Sequence, residues 1–404
     1  MSKPVTDTPG NRSGVFLGIG LMYLAAFQIF KLPPVLPLLL DTYAYDRTLA
    51  GAFMSIYAAA GLLLSVPLGK VMSHRGPQLL IYTSLSLTVL GNLLGVSYPE
   101  TGGLMLLGRG LEGIGFAGLA IVGPVLANRS VSPIWFPLII SLTAIWIPVG
   151  QLVAGVLAPL VVPYYSWQGL WWIGLVATGV IAFAVAGLLG RQTSTQGPRA
   201  EDGNRIRDLA PQERSRLVMA ASVFAIFSIQ YFAFMTWLPQ YLVEVLGLTA
   251  TQSALGYLIP IIIVIPVSLL TGWMFRIGFR LDRMMVLGMI MIAVVWALVP
   301  SGNEGMSGIG LMIVYGIGAG ITPTCLFAMP TAIVGKNGPT ASAFGIIMTG
   351  RNLGVLVGPV LLAMVFDLSG GWSFIAPLFF TTTAAGTVVA MYLRASLKTV
   401  ETPF

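Results

Sequence analysis

The chain is 404 residues long, 56% hydrophobic and only 9% charged, with a mean hydropathy of +0.88. A water-soluble domain of that size would lack the charge to cover its surface, so this composition points to a polytopic α-helical membrane protein. The net charge of +7 would suit a nucleic-acid binder, but the charges are placed otherwise, and the single cysteine, Cys325, excludes an intrachain disulfide.

The segment Met1 to Ser13 is polar and holds Lys3 and Arg12. The apolar run behind it is too long for a signal-peptide core and has no small-residue cleavage site, so the first span is expected to be retained. Segments able to cross a hydrocarbon core of roughly 30 Å recur at 14–40, 48–69, 78–97, 102–127, 134–162 and 167–190. They resume at 217–243, 251–275, 284–300, 306–334, 340–366 and 373–393, giving two sets of six. Between them, residues 191–216 carry six arginines against Glu201, Asp202, Asp208 and Glu213. This stretch reads as a solvated linker with a short surface helix after Pro211. The expected domains are therefore 1–190 and 217–404.

Basic residues at Lys70, Arg75, Arg129, Arg276, Arg280, Arg283, Lys336, Arg394 and Lys398 fall in alternate connections or at the C-terminus. The other connections hold Asp41, Asp46, Glu100, Glu244, Glu304 and Asp367, with Arg47 as their one basic residue. The positive-inside rule then places both termini in the cytoplasm, most naturally across a bacterial cytoplasmic membrane. The high pI reflects topology and not a polyanion site. The two halves also echo each other. Gly-Ile-Gly recurs at 113–115 and 316–318, and Gly150-Gln-Leu152-Val153 before Trp167 is matched by Gly354-Val-Leu356-Val357 before Trp372. Such parallel repeats imply two pseudo-symmetric bundles about an axis along the membrane normal.

On these residues the whole chain resembles the major facilitator superfamily. The stretch Gly69-Lys-Val-Met-Ser73-His74-Arg75-Gly76 is similar to that superfamily's gating-loop motif, with Ser73 and His74 in place of its Asp and first Arg. Arg109 with Gly113 and Gly115 is similar to its span-4 motif. Arg109-Gly-Leu-Glu-Gly-Ile-Gly, Trp146-Ile-Pro-Val-Gly150 and Trp237-Leu-Pro-Gln-Tyr241 look most like the cyanate permease and 2-nitroimidazole transporter branch. The paired Gly-rich segments with arginine that mark nitrate porters are absent. The resemblance implies twelve transmembrane helices and a gating role for Gly69, Arg75 and Gly76.

Four ionisable residues fall at membrane depth: Lys31, Arg109, Glu112 and Arg351. Such groups cost roughly 2.5–3.5 kcal/mol at the bilayer centre on insertion scales, so they usually pair or line a cavity. Lys31 precedes Pro33, Pro34 and Pro37, which should break the first span and turn its carbonyls toward a cavity. Arg109 and Glu112 share one helical face, as an ion pair or as substrate ligands. Arg351 lies about 11 residues into its span, near the midplane, and has no acid within a turn. Three cations against one carboxylate favour an anionic ligand. In the superfamily resemblance, Arg351 looks like the basic residue of oxalate-type anion carriers.

The expected substrate ligands are thus Arg351, Arg109, Lys31, Asn352, Gln28, Tyr57, Trp146, Tyr231, Trp237 and Tyr315, with Gln151 and Gln230 as further lining. Glu112, the one midplane carboxyl, is the expected proton-coupling group. The sequence shows no Walker loop, no His/Cys metal cluster and only one histidine, so no enzyme, cofactor or metal centre is expected. The main reading is a monomeric secondary transporter of a small anion by proton symport and alternating access. The alternatives are a proton-coupled exporter of organic compounds and a transport-inactive sensor or assembly partner.

Overall fold

The computed structural model describes residues 12–132, 135–189, 209–302, 305–335 and 340–397. The linker between the two halves lies mostly outside these. The chain is all-helical, and twelve of its stretches are long and apolar enough to span a membrane. The first half comprises α1 (Arg12–Phe30), a 3-10 turn (Pro33–Val35), α2 (Leu36–Tyr43), α3 (Arg47–Arg75), α4 (Pro77–Ser97), α5 (Gly102–Ser130), α6 (Phe136–Ala144), α7 (Trp146–Tyr165) and α8 (Gln168–Leu189). The second comprises α9 (Pro211–Glu244), α10 (Ala250–Arg276), α11 (Leu281–Gly302), α12 (Gly305–Val334), α13 (Thr340–Ser369) and α14 (Ile375–Leu397). Six of the spanning stretches lie in each half, and large apolar residues such as Phe16, Leu63, Phe183 and Tyr392 are exposed on the surface.

Proline explains the two interruptions. In the first span, Pro33 and Pro34 offer no N–H to the carbonyls of Ile29 and Phe30, so α1 stops and the chain restarts as α2. The stretch 134–162, read from sequence as one span, is likewise two helices. Pro148 cannot donate to Ala144, and the helix resets at Ile145. Other ends follow ordinary capping chemistry. Asp46 accepts from the Leu49 N–H at 3.0 Å, and Thr249 and Gln252 form a capping box on α10. The helix foreseen after Pro211 is continuous with the seventh span, so residues 211–216 are the first turns of α9 and not linker. Gly69 lies within α3, and only Arg75, exposed at its end, and Gly76, at φ +84°, form the turn into α4.

Within each bundle the closest packing uses small residues. A Cβ added to Gly91 of α4 would sit 2.4 Å from the Gly108 carbonyl oxygen of α5. The bundles meet through α3 against α13 and α7 against α10. At mid-depth Phe30 stacks on Phe232 with ring centres 6.0 Å apart, and the Tyr231 hydroxyl donates to Gln151 Oε1 at 2.8 Å. At the acidic end Arg47 Nη2 pairs with Glu244 Oε1 at 2.8 Å. Gln240 Nε2 and Trp372 Nε1 also donate to Glu244, at 2.6 and 2.8 Å, and the Arg47 guanidinium lies 4.0 Å over Phe366. The two halves are thus latched together at the acidic end.

Both partners of this ion pair are about a quarter exposed, so it contributes at most about 1 kcal/mol to folding, yet it is well placed to bias the spacing of the bundles. Spin labels at Tyr98→Cys and Val245→Cys, with Cys325 buried and unlabelled, should report one short distance in the parent chain. In Arg47→Ala a second, longer distance should gain population while the melting temperature moves little.

Candidate functional site

Two polar centres occupy the membrane interior, and they differ in whether their charges are satisfied. The first is built around Glu112 of α5. Its Oε1 accepts from Lys31 Nζ at 3.0 Å, and its Oε2 accepts from Arg109 Nη1 at 2.7 Å and from the Tyr57 hydroxyl. Lys31 Nζ also donates to Gln28 Oε1 at 2.7 Å and Asn92 Oδ1 at 2.5 Å, which uses all three of its protons. Gln28 Nε2 in turn donates to the Gly174 carbonyl and Thr178 Oγ1 at 3.1 and 3.2 Å. Trp171 lies beneath the ammonium, 4.3 Å from ring centre to Nζ.

Arg109 closes the wound left by the proline break. Its Nη2 donates to the Ile29 carbonyl at 3.0 Å, the oxygen that Pro33 leaves without a donor. Its Nη1 reaches the Gln28 carbonyl at 2.9 Å and its Nε the Phe53 carbonyl at 3.1 Å. Lys31, Arg109 and Glu112 are each at most 1% exposed, and none has an unpartnered buried polar atom. Lys31, Arg109, Gln28 and Tyr57, expected to line a cavity, do not line the chamber described next. The freed carbonyls turn to Arg109 instead, because its guanidinium, carried on the neighbouring α5, reaches them directly. The same closure surrounds Glu112, the expected proton carrier.

The second centre is a chamber of about 550 Å3 that opens toward the basic end, between α7, α9, α10, α12 and α13. Its walls include Trp146, Phe227, Tyr231, Phe232, Trp273 and Phe327, with Arg276 exposed at its mouth and Arg351 deeper in. Three glycines aim Arg351. Gly350, Gly354 and Gly358 form a stripe on α13 where an added Cβ would fall 2.1–2.3 Å from the carbonyl oxygens of Ala221, Ala225 and Ile229. No side chain fits there, so α13 is pressed onto α9 in one register and residue 351 turns into the chamber. Arg351 Nη1 donates to Asn352 Oδ1 at 3.0 Å, and its guanidinium lies 5.5 Å from the Phe232 ring centre. Among the described residues it makes no ion pair, and no lining residue is acidic.

Of the residues singled out from sequence, Arg351, Trp146 and Tyr231 meet at this chamber. Asn352 supports Arg351, its own amide turned toward Gly61 of α3, where an added Cβ would lie 3.8 Å from Nδ2. Trp237 and Tyr315 line a separate cavity of about 390 Å3 inside the second bundle, near its acidic end. There Gln230 Oε1 accepts from Tyr315 and Trp296 at 2.9 and 3.1 Å. Phe227, Phe232, Trp273 and Phe327 went unforeseen, because aromatic residues in a span read equally as lipid-facing or core. Arg47 was legible as the one base among acidic connections, but Glu244 as its partner was not.

The sequence model of the Major Facilitator Superfamily matches residues 15–359. The chain belongs to this superfamily. It is 22% identical over 348 residues to the glycerol-3-phosphate transporter of Bacillus subtilis, with 76% of each chain aligned. It is 27% identical over 161 residues to a Haemophilus influenzae protein assigned provisionally to metabolite transport. That alignment covers 37% of this chain and only 40% of the relative. Among solved structures, the crystal structure of a bacterial homolog to the human lysosomal transporter Spinster, in an inward-facing and occupied conformation, superposes with a TM-score of 0.71. The match covers 96% of both chains at 14% identity and so bears on the fold alone. The protein is therefore an integral, multi-pass membrane transporter of the major facilitator fold, not an enzyme.

The two centres of this transporter should respond oppositely to mutation. Glu112→Ala leaves two buried cations without their carboxylate and should cost about 3–5 kcal/mol, seen as a large fall in melting temperature in detergent. Arg351→Gln removes a cation that lacks a resident counter-charge, and its melting temperature should equal or exceed the parent's.

Proposed function

We propose that this superfamily member is a secondary transporter of a small anion, which docks on Arg351 while the two bundles alternate access to either side. The observation that carries the proposal is a guanidinium at membrane depth which, among the described residues, is hydrogen-bonded to Asn352 and has no ion-pair partner, facing a chamber with no acidic lining residue. An unpaired charge in such a place is costly, and a visiting anion offsets that cost with charge-assisted hydrogen bonds. The similarity to a transporter of glycerol-3-phosphate, itself an anion, agrees with this reading. The positive-inside pattern supports a cytoplasmic basic end. On that orientation the chamber faces inward and the Arg47–Glu244 latch closes the outer side.

Export of organic cations is the less favoured reading, because the chamber offers a cation two arginines and no carboxylate. Proton symport through Glu112 would require prying that carboxylate from Lys31, Arg109 and Tyr57. We therefore assign Glu112 a structural part in the proposal. The resemblance to the cyanate permease and 2-nitroimidazole branch stays compatible with it, since Trp146 of that signature stands at the chamber wall.

Proteoliposomes preloaded with anion and diluted into labelled anion test the proposal. Counterflow is expected in the parent chain and should fall at least tenfold in Arg351→Gln, which still reconstitutes. Undiminished counterflow in that variant, or movement of cations in place of anions, would remove the docking point.

A further inference from the structure

Resting on the anion reading, we infer that the solute held at Arg351 is a monocarboxylate with a flat aromatic body, not a small inorganic anion or a polyol phosphate. Three properties of the chamber lead there. The first is charge. Among the lining residues Arg351 is the one cation set inside, while Arg276 stands exposed at the mouth. A single negative group is matched inside, and a dianion would keep one charge unmatched there.

The second is size. The chamber measures about 550 Å3, within the range of roughly 300–1,000 Å3 typical of organic ligand sites. A triatomic anion occupies little more than one or two water volumes of about 30 Å3 each. It would leave the ring faces of the wall on water.

The third is the chemistry of the wall. Its hydroxyls are already spent, since Ser268 and Thr324 both donate to the Gly320 carbonyl, at 3.2 and 2.8 Å, and Tyr231 donates to Gln151. A polyol would find few donors for its oxygens and would lose its hydration without replacement. What remains are rings held at fixed angles. Phe227 is stacked on Tyr231 at 5.4 Å, and Trp146 is braced from behind by Phe116 at 5.5 Å. Such an array presents faces and edges to a flat apolar guest, with the guanidinium at one end to take its carboxylate.

Equilibrium binding and thermal shift of the purified chain in detergent test this with phenylacetate, phenylacetamide, acetate, nitrate and glycerol 3-phosphate. Phenylacetate should bind at least tenfold more tightly than acetate or nitrate, and phenylacetamide and glycerol 3-phosphate should give no shift. Trp146→Leu should weaken phenylacetate by roughly threefold to tenfold, Trp146→Phe should largely restore it, and Arg351→Gln should abolish it. Acetate or nitrate binding as tightly as phenylacetate, or glycerol 3-phosphate binding better, would overturn the aromatic assignment while leaving the anion reading intact. Phenylacetamide binding as well as phenylacetate, or no anion responding to Arg351→Gln, would overturn both.

Discussion

A carboxylate between two cations, sealed from water, is the constraint on which the first bundle depends. Glu112 holds Lys31 and Arg109, and through Tyr57, Gln28, Asn92 and Thr178 the network ties together α1, α3, α4, α5 and α8. Its origin is local. Prolines after Lys31 break the first span and strip donors from its last carbonyls, and in a lipid environment those oxygens must find partners within the protein. Arg109 supplies them, and a buried arginine then needs an acid beside it. The ion pair follows from the break.

The second bundle has no such break, since α9 runs unbroken, and it carries no ion pair at the matching place. Tyr315 and Met312 precede Gly316 by the same intervals at which Glu112 and Arg109 precede Gly113. In place of ions this half uses Gln230 as a hub for Tyr315 and Trp296, in an aromatic surround that includes Phe234 and Phe379. The repeat therefore keeps its backbone packing and changes its chemistry. Among the described residues the chamber around Arg351 has no acidic lining, and that is the difference between the halves on which the proposed anion site rests.

The chamber depends on irregularities more than on regular helix. The reset at Ile145 brings Trp146 and Pro148 to its wall, and the glycine stripe of α13 sets the rotation that turns Arg351 inward. Aromatic stacking then limits how far the walls adapt. Phe232 and Tyr231, which hold the bundles together through Phe30 and Gln151, are also part of the chamber wall.

Read from the sequence alone, twelve spans, two repeated halves, the break before Pro33 and the depth of Arg351 were all accessible. Each is written in hydropathy, charge placement or the chemistry of one residue type, and these act along the chain. Which buried charge meets which was not accessible, because a span displays its residues around a full circle and sequence spacing does not say which face meets a neighbour. Lys31, Arg109 and Arg351 look alike as lone cations in apolar runs. Only packing separates them: close helix contact gives two of them a shared carboxylate, and it leaves the third an open chamber.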